Sequence, residues 1–173
     1  MIRIRTTVFA TISALLCAPV WAGPDAMTTE EARHLISRTG FGAAPHEIAE
    51  ITGLSYAGGV EKILNGLHTT PVTPMPDWAS GWAYPGDQIW TLGQTQSELY
   101  STNRWLELTE LSSWWIAEMA ATPSPLSERL VLFWSDHFAN SFEDHENSQW
   151  MAQQNQFLRA HAAGDFTTLA HGM

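Results

Sequence analysis

The chain has 173 residues, nine tryptophans, one cysteine and 18 acidic against eight basic side chains, for a formal net charge of −10. That balance argues against nucleic acid and anionic membrane surfaces as partners, because both draw on clustered Lys and Arg, whereas Arg33, Arg38, Lys62, Arg104, Arg129 and Arg159 are scattered. A single cysteine, Cys17, excludes an internal disulfide.

The first element is an export signal. Arg3 and Arg5 precede an uncharged apolar run from Val8 to Val20, and Val20-Trp21-Ala22 presents small or medium residues where a signal peptidase reads. Cleavage is expected after Ala22, giving a periplasmic or secreted protein. The run is shorter than the roughly 20 residues that span a bilayer, and no later segment reads as a transmembrane anchor. Cys17 leaves with the leader, as do two basic residues and no acidic one. Six basic residues then face 18 acidic ones, and the expected mature charge is −12. Residues 23–173 suit one domain with a real core.

Thr28 and Glu31 are spaced as a capping box, and Ala32, Leu35 and Ile36 supply the stripe of a first helix that stops at Gly40, where a positive φ is expected of a C-cap glycine. Short helices are predicted from Pro45 to about Ile51 and from Tyr56 to Leu67. From His68 to Asp87 the chain interleaves Pro71, Pro74, Pro76 and Pro85 with Trp78, Trp82 and Tyr84. A loop of that length is a functional excursion or a strap laid over the core. Asn103 to Ala121 carries Trp105, Leu108, Leu111, Trp115 and Met119 at helical spacing. Pro125 suits the first turn of the next helix, predicted to about Ala139, and further helices are predicted from about Glu146 to His161 and from Asp165 onward. No β pattern or repeat is visible, so the expected class is all-α: a multi-helix orthogonal or bundle-like domain with a long Pro/Trp-rich loop.

The run Pro125-Leu-Ser-Glu-Arg-Leu-Val-Leu-Phe-Trp-Ser-Asp-His-Phe138, closing on Arg159-Ala-His161-Ala-Ala-Gly164-Asp-Phe166, resembles the signature of the bacterial DUF 1800 family, a family of exported proteins of unknown biochemical role. Arg38-Thr39-Gly40-Phe41-Gly42 is similar to its N-terminal Arg-x-Gly-Phe-Gly turn. The resemblance implies that 23–173 is the N-terminal part of a longer helical domain, truncated at its C-terminus. Relatives commonly show His-x-His where this chain has Ser135-Asp136-His137, which removes one imidazole from any metal site there.

On a helical wheel Leu130, Val131, Phe133, Trp134, His137 and Phe138 fill one arc, with Glu128, Arg129, Asp136 and Asn140 opposite. His137 is therefore expected in the core with a hydrogen-bond partner, and His161 likewise on the face of Trp150, Gln154 and Phe157. In an antiparallel hairpin the two histidines stand roughly 16 Å apart, too far to share one ion. Asp136, His137 and His145 are the candidate ligands for a divalent metal. Glu143-Asp144-His145-Glu146 could offer oxygens to calcium, yet lacks the alternating spacing and glycine of a calcium loop. Asp136, Glu143 and Glu146 could pair as carboxylates for glycoside chemistry. No nucleophile elbow or phosphate loop is present.

Three functional expectations follow. The first is an exported structural or binding module, working with a protein partner in the cell envelope, whose polar core is fixed by Arg38, Arg129, Asp136, His137, Arg159 and His161. The second is an exported metal-dependent hydrolase using Asp136, His137 and His145. The third is carbohydrate capture by Trp78, Trp82 and Trp90.

Overall fold

A computed structural model describes residues 26–80, 93–139 and 147–173. Every regular element among them is helical: α1 (Thr29–Thr39), α2 (Pro45–Ile51), α3 (Tyr56–Asn65), a one-turn 3-10 helix (Asp77–Ser80), α4 (Gln94–Ala121), α5 (Pro125–His137), α6 (Ser148–His161) and α7 (Phe166–Gly172). Residues 1–22, read from the sequence as an export signal, lie outside the described residues. No described helix is long and apolar enough to cross a membrane.

Local chemistry sets most of the boundaries. The capping box at α1 is formed, Thr28 Oγ1 accepting from the Glu31 amide while Glu31 Oε2 accepts from Thr28 N at 2.8 Å. Ser55 and Asp165 cap α3 and α7, Asn147 caps α6, and Pro125 opens α5. Gly53, at φ 86°, is where the chain leaves α2, and its N–H donates to Met27 O at 3.0 Å. Met27, Ala32, Ile48 and Ile51 form a small core under α1 and α2.

Gly40 departs from the expected conformation. Its φ is −128°, so a left-handed cap is not the reason for glycine there. The reason is proximity: a Cβ at Gly40 would stand 3.3 Å from Pro125 Cβ, where α1 meets α5, and Arg129 Nη1 donates to the Gly40 carbonyl. Phe41 does not fold back into a core and is 46% exposed.

Helix α6 is central, packed against α4, α5, α7 and the 3-10 turn. Two apolar clusters result: Leu111, Trp114 and Ala152 with Ala79, and Val131, Leu158 and Ala162 with Leu169. The faces turned inward match the apolar arcs in part: Leu130, Val131, Trp134 and Phe138 of α5 and Leu111 and Trp115 of α4 pack into these clusters. On α5 Ser127, Glu128 and Val131 are buried while Phe133 is 57% exposed; on α4 Arg104, Leu111, Trp114 and Glu118 are buried while Trp105 is 54% exposed. Near the start of α6, Arg104 Nη1 donates to Glu107 Oε2 at 2.8 Å and to Ser148 Oγ at 3.1 Å, with its guanidinium over the Tyr100 ring. The inward faces are thus chosen by charge pairing as well as by apolar area.

The described part of the Pro/Trp-rich segment, residues 68–80, is a strap. Trp78 Nε1 donates to Glu110 Oε2 at 2.8 Å, Trp114 Nε1 donates to Thr73 O at 3.4 Å, and His68 N donates to Ser127 Oγ at 3.1 Å. These bonds lay it along α4 and the start of α5.

Candidate functional site: a buried polar centre

Where the strap, α4, α5 and α6 meet, charged side chains replace apolar ones. Arg159 on α6 donates from Nε to Glu128 Oε1 and from Nη2 to Glu128 Oε2, both at 2.7 Å, and both side chains are 0% exposed. The remaining nitrogen, Nη1, donates to Asn155 Oδ1 at 2.7 Å, one turn earlier on the same helix. Trp115 Nε1 adds a third donor to Glu128, reaching Oε2 at 2.8 Å, and the Trp114 ring lies 5.4 Å from the guanidinium carbon. Such a fork-to-fork pair is the geometry that offsets the desolvation of two buried ions.

Glu118, one turn beyond Trp114 and Trp115 on α4, is also 0% exposed. Its Oε1 accepts from Val72 N at 2.7 Å and its Oε2 from Thr73 N at 2.7 Å, with the Thr73 hydroxyl also donating to Oε2. Burial pushes this carboxyl up. The Thr73 hydroxyl, the two strap amides and the nearby Arg159 charge push it down further, and the balance lies below the ordinary carboxylate range.

His68 completes the group. Its Nδ1 is 2.7 Å from Thr70 O and its Nε2 is 2.7 Å from Thr122 Oγ1. A carbonyl can only accept, so Nδ1 carries a proton, and in the neutral form of the ring Nε2 is the acceptor that faces the Thr122 hydroxyl. One ligand-type atom from each of His68, Glu118 and Glu128 lies within 4.8 Å of the other two.

Of the residues named from the sequence, Arg159 alone sits in this centre. Asp136 and His137 are exposed at the end of α5, where His137 stacks over Phe133 with ring centroids 6.2 Å apart. His161 is half-buried against Phe157, its own helical neighbour, at 4.5 Å. Arg38 is exposed, and Arg129 spends a nitrogen on Gly40 at the α1–α5 contact. The polar core thus lies elsewhere than around Asp136 and His137. The physical reason is that Glu128 and Arg159, once paired, bury their helix faces and turn the His137 and Trp150 faces outward. His145, Glu143, Asp144 and Glu146 fall outside the described residues, as do Trp82 and Trp90. Trp78 is held against α4 through Glu110.

Sequence reasoning missed Glu118, Glu128 and His68. A signal for the first was present: Leu111, Trp114, Trp115 and Glu118 continue one three-and-four-residue stripe, so Glu118 belongs to the buried face by spacing alone. Assigning charges outward by default hid it.

No curated protein and no solved structure matches the chain. The family model described as Protein of unknown function (DUF1800) matches residues 34–173, which is most of the chain and includes every member of the buried centre, and the protein belongs to that family.

Proposed function

We propose that the protein is an exported helical module with a structural or binding role, released from its leader after Ala22, and that the Glu118, Glu128 and Arg159 centre is its scaffold. The observation that carries this reading is the 0% exposure of the Arg159 and Glu128 side chains together with their mutual double hydrogen bond. A group that touches no solvent and spends its donors and acceptors inside the protein serves folding more readily than turnover. The test has two arms. Mass spectrometry of the mature protein from a periplasmic fraction gives an N-terminus at Gly23; retention of residues 1–22 in the cytoplasm removes the export part of the reading. Glu128→Gln lowers the melting temperature by several degrees.

A second reading, a metal-dependent hydrolase, is favoured by one observation only, the proximity of His68, Glu118 and Glu128. It requires substrate to reach a centre that the strap covers. Chelator-sensitive hydrolysis of a panel of nitrophenyl esters, phosphates and glycosides by the wild type, abolished by Glu118→Gln in a still-helical protein, would replace the module reading with this one.

A further inference from the structure

The scaffold leaves two features of the buried centre unaccounted for. The first is charge: Glu118 and Glu128 are both 0% exposed and face a single guanidinium, Arg159. With His68 neutral, two carboxylates against one cation leave the centre one negative charge in excess, and buried charge is costly unless matched. The strap amides soften the field at Glu118 but carry no net charge.

The second is the state of His68. Its Nδ1 lies 2.7 Å from the Thr70 carbonyl, which fixes a proton there and leaves Nε2 as the ligand atom of a neutral ring, and one ring nitrogen lies within 4.8 Å of a ligand oxygen of each carboxylate. A histidine whose distal N–H is fixed by a backbone carbonyl is the arrangement that orients and strengthens an imidazole as a metal ligand. The carboxylates are oriented in the same manner, Glu118 by the Val72 and Thr73 amides and Glu128 by Trp115 and Arg159. Glu128 Oε1 and Glu118 Oε1 each accept one protein hydrogen bond and so keep a second lone pair.

We infer that His68, Glu118 and Glu128 form a site for a divalent transition metal that clasps the strap to α4 and α5. One imidazole nitrogen and two carboxylate oxygens are borderline ligands of the zinc type. The cation supplies the missing positive charge, and the Thr122 hydroxyl, which lies 2.7 Å from His68 Nε2, turns aside or becomes a fourth ligand. Distances allow it. Three atoms within 4.8 Å of one another leave a point at most about 2.8 Å from each, so small side-chain rotations reach the roughly 2.0–2.2 Å of zinc bonds. The site ties residue 68 of the strap to residue 118 at the end of α4 and residue 128 in α5, and so acts on the strap where its backbone already docks.

The experiment uses the whole chain without a histidine tag, stripped with chelator and dialysed against zinc chloride, with bound zinc counted by mass spectrometry. About one equivalent is expected, together with a higher melting temperature and slower amide exchange at Val72 and Thr73. His68→Gln and Glu118→Gln, each checked by circular dichroism, weaken zinc binding at least tenfold, whereas H137Q leaves it unchanged. The wild-type exchange measurement with and without zinc keeps the test decisive if a variant fails to fold. The inference is overturned if the wild type binds no zinc in excess metal, if zinc leaves exchange at Val72 and Thr73 unaltered, or if His68→Gln retains the metal and H137Q loses it. None of these outcomes bears on export or on the scaffold role, which are read from the N-terminus and from Glu128→Gln.

Discussion

Arg159 closes on Glu128 through two parallel hydrogen bonds of 2.7 Å, and neither side chain reaches solvent. The pair links α5 to α6 across 31 residues of sequence, and Trp115 brings α4 into the same contact. Three helices therefore share one polar joint.

Breaking that joint from one side is expected to cost more than removing it. Arg159→Met strands Glu128 in a dry site, and the loss is about 3–5 kcal/mol by analogy with other buried pairs. Adding Glu128→Leu to Arg159→Met removes the stranded charge, and the double variant recovers a good part of that loss. Urea denaturation of the two singles and the double closes the cycle; a double variant no more stable than either single contradicts the assignment.

The strap is expected to loosen in acid. Glu118 titrates below the ordinary carboxylate range in the folded protein, so its contribution to stability is complete above that range and is lost as the pH falls through the lowered value. Glu118→Gln removes this part of the pH dependence. The variant is less stable than the wild type at neutral pH, by roughly 1–3 kcal/mol for the displaced strap donors, and the gap narrows towards low pH. Thermal melts of both proteins in a series of acid buffers measure it.

Gly53 offers a cleaner backbone test. It stands at φ 86°, and an added Cβ would meet nothing within 4 Å. Gly53→Ala therefore costs about 1–2 kcal/mol through the local left-handed conformation alone, with no clash against the rest of the fold. A melting temperature equal to that of the wild type would show that the turn after α2 relaxes.

At the start of α1, Thr28→Ala removes the acceptor for the Glu31 amide. A loss of about 1 kcal/mol is expected, read by chemical denaturation. Thr28→Ser should keep most of the stability, because the hydroxyl remains.

Helix boundaries were largely legible, since they rest on single residues: Thr28 with Glu31, Pro125 and Asp165 each mark a start that the fold uses. The start of α4 was not, because Gln94 to Thr102 is polar and carries no stripe, so the helix reads as beginning near Asn103. Helix faces were legible in part: Val131, Trp134 and Phe138 of α5 and Leu111 and Trp115 of α4 pack inward as their spacing indicates. Counting apolar residues on α5 places Phe133 inward, yet Phe133 is 57% exposed and Glu128 is fully buried. A carboxylate is buried when a partner from another helix arrives with matched donors, and that partner, Arg159, is 31 positions away, beyond any local pattern. His68 is the same case, its two ring contacts being one local carbonyl and one hydroxyl 54 positions on.

Helix α4 carries charge at both ends of its inward face, Arg104 with Glu107 against Ser148 and Glu118 against the strap. Arg104 and Glu118 stand 14 positions apart on α4, a span of about 21 Å. An all-leucine face could slide by a turn and still bury its area. Here a one-turn slip would strip Arg104 of Ser148 and Glu118 of Val72 and Thr73 at once, so the spacing of the two charged stations acts as a ruler that admits a single alignment of α4 in the fold.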